Sequence, residues 1–233
     1  MRSFFYILFL FAGLWLKGQV IGVDTKSGES GTHYTFLKKN ACTIHFQTTR
    51  PSKADTQVVL CIPAAFTDLG TSQVDGVYGV DGKIGNRTKI NTSLGGVFVI
   101  EKKSCRMFQS QKGKLFNDSL FKILETGRAS FFQQLQCIQH GKAATFKDQK
   151  VFQRRGIAIL KDHSVAVVES QEAITLTVFA NDLTKLGVME LIYTDMGAWD
   201  EGWYKDPKTA KVITIGKDLS QTARQSNWIV FKK

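Results

Sequence analysis

The chain has 233 residues, 43% of them hydrophobic, which is enough apolar material to bury a core and excludes a disordered tail. It carries 31 Lys and Arg against 20 Asp and Glu, a net charge of +11, with 20 Gly, 3 Pro and 4 Cys; collagen-like, Pro-rich and disulfide-scaffold compositions are excluded. The basic residues are spread out, with doublets at Lys38-Lys39, Lys102-Lys103 and Lys232-Lys233, and are not interleaved with aromatics as in a nucleic-acid binder, so no nucleic-acid partner is expected.

Arg2 precedes an uncharged apolar run over residues 4–16, which Lys17 closes. The run is shorter than the roughly 20 residues that span a bilayer, and residues 1–19 read as a signal peptide. The reading implies export to the periplasm or the extracellular space, with no stable membrane insertion after signal removal. Residues 20–32 are rich in Gly and Ser and are expected to form a flexible leader. Residues 33–233 then form one domain.

Thr43 to Gln47 alternates as a half-buried strand, and Val58 to Ile62 is a short apolar run typical of a buried one. Gly76 to Lys83 reads as a hairpin, with Asp81-Gly82 as a type I′ turn. Gly95 to Ile100 gives another strand. Asn117 is placed to cap a helix that runs to about Glu125, with Gly127 just beyond it. Two strands, Arg155 to Leu160 and Ser164 to Glu169, flank a turn. Thr175 caps a second helix, along which Leu176, Phe179, Ala180, Leu183 and Leu186 recur at helical spacing before Gly187 ends it. Val188 to Thr194, Val212 to Ile215 and Trp228 to Phe231 complete the strands. The expected class is α+β: a single strand-rich domain, with a mixed sheet and a few flanking helices.

Cys42, Cys61, Cys105 and Cys137 are scattered without metal-ligand spacing, and in an oxidising compartment they allow three disulfide pairings. Cys61 lies in a buried-strand pattern and reads as a small hydrophobe. The four histidines show no ligand spacing either, and neither a metal nor a cofactor is expected.

The most unusual segment is residues 193–204, which holds Asp195, Asp200 and Glu201 among Tyr193, Trp199, Trp203 and Tyr204. Carboxylates beside aromatics suit a sugar site, because Tyr and Trp stack on sugar C–H faces while acids bind hydroxyls or move protons. The plain alternative is a surface loop whose tryptophans plug the core. Arg154-Arg155 opens a strand, and an arginine pair there is suited to a phosphate or to a solvent-facing edge.

The order of these pieces resembles the phosphodiester glycosidase domain family from about Cys61 to the C-terminus. Pro63-Ala64-Ala65-Phe66 sits where the family has an Asn-Gly-Gly-Phe type segment, and Gly76-Val77-Tyr78-Gly79-Val80-Asp81-Gly82-Lys83 resembles its hairpin. Gly96-Val97-Phe98 and the arginine-led strand at Arg154-Arg155-Gly156-Ile157-Ala158-Ile159 are similar to family segments, as is Leu191-Ile192-Tyr193-Thr194-Asp195-Met196-Gly197. The family cleaves a sugar from a phosphodiester. The resemblance therefore implies a glycan or sugar-phosphate ligand, Asp195 as an active-site carboxylate, and Arg154 or Arg155 holding the phosphate; Trp199, Asp200, Glu201, Trp203 and Tyr204 join it as candidate substrate contacts. Two departures are plain: the family's Asn is Pro63, and its Gly-Ser tail after the Asp is Met196-Gly197-Ala198-Trp199. A non-catalytic carbohydrate-binding or structural protein on the same fold is the alternative.

Overall fold

The computed structural model describes residues 19–102, 104–197 and 200–233, so the signal peptide expected over 1–19 lies almost wholly outside the described residues. The strands in chain order are β1 (Ile21–Ser27), β2 (His33–Lys39), β3 (Thr43–Gln47), β4 (Val58–Pro63), β5 (Tyr78–Val80), β6 (Lys83–Gly85), β7 (Gly96–Ile100) and β8 (Cys105–Gln109). After helix α1 (Asp118–Thr126) come β9 (Ser130–Gln134), β10 (Gln136–Gln139), β11 (Lys142–Ala143), β12 (Arg155–Leu160) and β13 (Val165–Ser170). Helix α2 (Leu176–Lys185) precedes β14 (Val188–Tyr193), β15 (Gly202–Lys205), β16 (Val212–Ile215) and β17 (Trp228–Lys232).

These strands make three sheets, ordered β1-β2-β13-β12-β14-β10-β11, β16-β15-β4-β17-β3 and β6-β5-β9-β7-β8. Every ladder among the described residues is antiparallel. The expected mixed sheet is therefore corrected. Short turns such as those joining β5 to β6 and β12 to β13 allow only antiparallel neighbours, whereas parallel ones need long crossovers. The protein is mostly β, with α1 and α2 as flanking helices.

Alternation along the central strands explains the layers. Ile157, Val167 and Ile192 face one side of the seven-stranded sheet and meet Phe46, Phe98, Phe132 and Phe231 of the other two sheets. Phe46 stacks on Phe132 at 5.1 Å between centroids. Ala158, Ala166, Val168 and Leu191 face the opposite side and are covered by Leu176, Phe179, Ala180 and Leu183 of α2. Burial on both faces accounts for the near-continuous apolar runs of β12 and β13.

The local signals at the helices and hairpin hold. Asn117 accepts from Leu120 N, and Thr175 accepts from Val178 N, each closing an N-terminal orphan. Asp81 and Gly82 both have positive φ, as a type I′ turn requires. Gly187 has φ 88° and ends α2.

Residues 20–32 are not a loose leader. Residues 21–27 form β1, which pairs along its whole length with β2. The Gly/Ser content serves the hairpin turn: Gly31 has φ 85°, and a Cβ on Gly28 would collide with the Asp182 carboxylate. Asp182, on α2, accepts from Ser30 N at 3.2 Å, Ser30 Oγ at 2.5 Å and Tyr34 Oη at 2.8 Å. This buried carboxylate raises the Tyr34 phenol above its ordinary range, together with the larger effect of burial itself.

Candidate active site

The site forms where β14, β4, β12 and β17 end or begin side by side. Pro63 closes β4 opposite Trp228 at the start of β17, so the segment after Pro63 runs beside the segment before Trp228. There the Asn227 side chain accepts from Ala65 N at 2.7 Å and donates to Ala65 O at 3.0 Å. Asn227 is fully buried, and this two-point clamp fixes the backbone that leads to Phe66 and Thr67. Gln225 supports it from below, donating to Asn227 O at 2.9 Å. Thr67 Oγ1 in turn lies 3.0 Å from Ser226 Oγ and 3.3 Å from Gln225 Oε1.

Asp195 follows β14 and is tied to the same segment. Its N–H donates to Ala64 O at 2.9 Å, and its Oδ2 accepts from Thr67 N at 2.9 Å. It is 3% exposed. The phenyl ring of Phe66 meets Tyr193 edge-on, and Met196 packs into the same apolar layer.

The two arginines have different surroundings, because neighbours on a strand point to opposite faces. Arg155 is fully buried and ion-paired with Glu169, its cross-strand partner on β13. Its Nη1 donates to Asp200 O at 2.8 Å. Arg154, 4% exposed, has no carboxylate partner among the described residues. Its Nε donates to Ile174 O at 3.0 Å, its Nη1 to Tyr193 Oη at 3.2 Å and its Nη2 to Lys150 O at 2.5 Å. The guanidinium also lies over the rings of Phe152 and Tyr193, at 5.1 and 5.8 Å from their centroids. A guanidinium has five N–H groups, so three such bonds leave two N–H groups of Arg154 for a ligand.

The cation and the acid adjoin the same residue, Tyr193. Gly156 stands opposite Tyr193 at the end of the β12–β14 ladder, and Thr194 N donates to Arg155 O at 3.1 Å just beyond it, with Arg154 and Asp195 one residue further along their segments. The Tyr193 hydroxyl feels both. Burial raises its pKa, the Arg154 charge opposes the rise and the Asp195 charge adds to it.

The remaining residues of the 193–204 segment disperse. Residues 202–205 are strand β15 and not a loop. Trp203 is 1% exposed and packs with Val58, Cys61, Trp228 and Val230, so it offers no face to a sugar. Tyr204 is half-buried, paired across from Leu60, and desolvation raises its phenol. Glu201 forms ion pairs with Arg50 and Lys53, and these cations hold its carboxyl low despite the opposing effect of burial. Asp200 is buried, accepts from Lys217 N at 3.2 Å, and is pushed up to about 6, chiefly by desolvation against the attraction of Arg155. Trp199 lies outside the described residues. Asp195 and Arg154 thus share Tyr193 as a neighbour, whereas Arg155, Asp200, Glu201, Trp203 and Tyr204 are engaged in holding the surrounding strands.

Sequence reasoning passed over Asn227, Thr67 and Gln225. The polar triplet Gln225-Ser226-Asn227 directly before an apolar strand is the one local hint, and its meaning depends on the β4–β17 pairing. All four cysteines are free thiols, and Cys61 is buried beside Trp203. Among the described residues, no group of three or more His, Cys, Asp or Glu is arranged to hold a metal ion. No helix among them is long and apolar enough to cross a membrane.

No family model and no curated protein matches the sequence. Solved structures do. The catalytic domain of zebrafish N-acetylglucosamine-1-phosphodiester alpha-N-acetylglucosaminidase, auto-inhibited by its pro-peptide, superposes with a TM-score of 0.62 over 91% of this chain and 82% of that one, at 11% identity. The chain shares the fold of that domain. A hypothetical protein from Synechocystis has a TM-score of 0.56 at 10% identity, covering 91% of this chain and 62% of the other. At these identities the likeness is one of fold, and any shared chemistry has to be argued from the residues.

Proposed function

We propose that the protein is an exported hydrolase of phosphodiester glycosidase type, acting on a sugar phosphodiester or a related acidic glycan linkage. The observation that carries the proposal is that Arg154 and Asp195 both act on the Tyr193 hydroxyl, Arg154 through a hydrogen bond of 3.2 Å and Asp195 through its charge. A buried guanidinium with no carboxylate partner among the described residues and a buried carboxylate lie next to the start of β12 and the end of β14, where the sequence resemblance to phosphodiester glycosidases implies an active site. The chemistry fits each group. The two remaining N–H groups of Arg154 suit a bidentate grip on a phosphodiester oxygen pair. The Asp195 carboxyl, oriented by Thr67 N and anchored through Ala64 O, would transfer a proton at the glycosidic oxygen as the sugar–oxygen bond breaks. Arg155 has no part in binding substrate in this reading and positions the strand through Glu169 and Asp200. Export rests on the apolar run over residues 4–16.

The test is incubation of the purified protein with a panel of sugar-1-phosphodiesters, scored by free sugar and by phosphomonoester appearing in equal amounts. Equal release supports the reading. A folded protein that binds members of the panel without releasing either product would make it a carbohydrate-binding relative on the same fold.

A further inference from the structure

The core where the three sheets meet comes nearest to solvent at one end. Its four most exposed members are Cys42 and Val165 at 8%, Ile100 at 7% and Ile44 at 6%. All four line one cavity of about 500 Å³, within the size range of small-molecule sites. None of the residues that surround Asp195 lines it. The cavity is bounded by the end of β2, the start of β3, the β7–β8 turn and the β12–β13 turn.

Its mouth is basic. Lys39 ends β2, Lys102 lies in the β7–β8 turn and His163 lies in the β12–β13 turn. Among the described residues none of the three has a carboxylate partner, because the acid at this mouth, Glu101, is bound by Arg106 at 3.2 Å. Thr43, also at the mouth, stands opposite Lys232 in the β3–β17 ladder. The lysine doublets that look scattered in sequence therefore each send a member to this end of the fold.

We propose that this cavity is a second binding site, for a small amphipathic anion. The apolar tail rests on Ile44, Ile100 and Val165, and a carboxylate, sulfate or phosphate head meets Lys39 and Lys102. An anion without a tail would gain only the weak attraction of solvent-accessible lysines, and a neutral tail would leave the cations unanswered. The site does not depend on the glycosidase reading. A free amphiphile and a bilayer lipid share this chemistry, and a concave site walled by two strand ends and two turns favours the free monomer.

The probe is 1-anilinonaphthalene-8-sulfonate, titrated by fluorescence and displaced by monomeric decanoate. Decyl maltoside and inorganic phosphate serve as tail-only and head-only controls. Decanoate is expected to displace the probe and the controls are not. Lys39→Glu with Lys102→Glu, changes at a half-buried strand end and an exposed turn, checked for an unchanged urea midpoint, is expected to weaken decanoate at least ~10-fold. Decanoate is also expected to slow maleimide labelling of Cys105, which lines the cavity, as read by peptide mass. Equal displacement by decyl maltoside, or unchanged affinity in the double variant, would overturn the proposal. So would binding to phosphatidylglycerol vesicles without displacement by decanoate.

Discussion

Thr67 donates its backbone N–H to Asp195 Oδ2 over 2.9 Å, and Asp195 donates its own N–H to Ala64 O over the same distance. A carboxylate that ends one strand is thus held by the segment that leaves another, and that segment is held by Asn227. Asn227→Ala would leave Ala65 N and O buried without partners. It is expected to cost about 2–4 kcal/mol, the desolvation of two orphaned groups, read as a fall in the urea midpoint. Activity per folded molecule should fall as well, since the tether on Asp195 loosens.

The two arginines should respond differently to replacement. Arg155→Gln leaves Glu169 buried without its cation and is expected to cost about 3–5 kcal/mol. Replacing both partners, Arg155→Met with Glu169→Met, is expected to recover a large part of that loss. Arg154→Lys keeps a positive charge in place but removes the fork, and is expected to fold while raising KM for a phosphodiester. Denaturant titrations beside steady-state kinetics separate the two behaviours.

Asp200 makes stability depend on pH. Its folded pKa is about 6, above the ordinary carboxylate value of 3.8, so the folded state binds the proton more tightly than the unfolded one. Stability from this group is therefore full at low pH and declines as pH rises from about 4 to about 6. Arg155 and the Lys217 N–H oppose the effect, and Glu169 and Asp218 enhance it. Asp200→Asn is expected to flatten this decline and to be the more stable protein at pH 7.5, by on the order of 1–2 kcal/mol. Urea midpoints of both proteins at pH 4.5 and 7.5 check the sign.

Much of the fold is legible in local chemistry. The Asn117 and Thr175 caps, the Asp81-Gly82 turn and the apolar runs at β4, β12 and β14 are set by neighbours in sequence, and the structure contains them. Strands whose residues are polar were hidden. Buried β9 reads Ser-Phe-Phe-Gln-Gln, and Gln133 is tolerated because its amide bonds Asn91 O, Leu94 O and Val77 N. β1 was hidden because a Gly/Ser turn looks like a leader until Asp182, more than 150 residues on, supplies its hydrogen bonds. The site divides in the same way. Asp195 and the arginine pair stood out by composition, but only the β12–β13 and β12–β14 registers separate Arg154 from Arg155. Trp203 looked like a sugar platform because aromatic density alone does not say which face a strand turns inward.

Asp182 offers a direct test of the N-terminal hairpin. Asp182→Ala removes the acceptor for Ser30 and Tyr34 and is expected to cost about 2–3 kcal/mol. Limited proteolysis should then cut within residues 27–33 faster than it does in the wild-type protein. Unchanged cleavage would show that pairing with β2 holds β1 without help from α2.

The most direct test of the Arg154–Asp195 site is sugar release from a cleavable sugar-1-phosphodiester by the wild-type protein and by Asp195→Asn. The substitution keeps size and an acceptor for Thr67 N, and thermal unfolding should show both proteins folded. Turnover by the wild type and a loss of at least ~100-fold in the variant, within the usual range for removing a general acid, is the expected result. Turnover by the folded variant at the wild-type rate would contradict the assignment of Asp195 as the reacting acid.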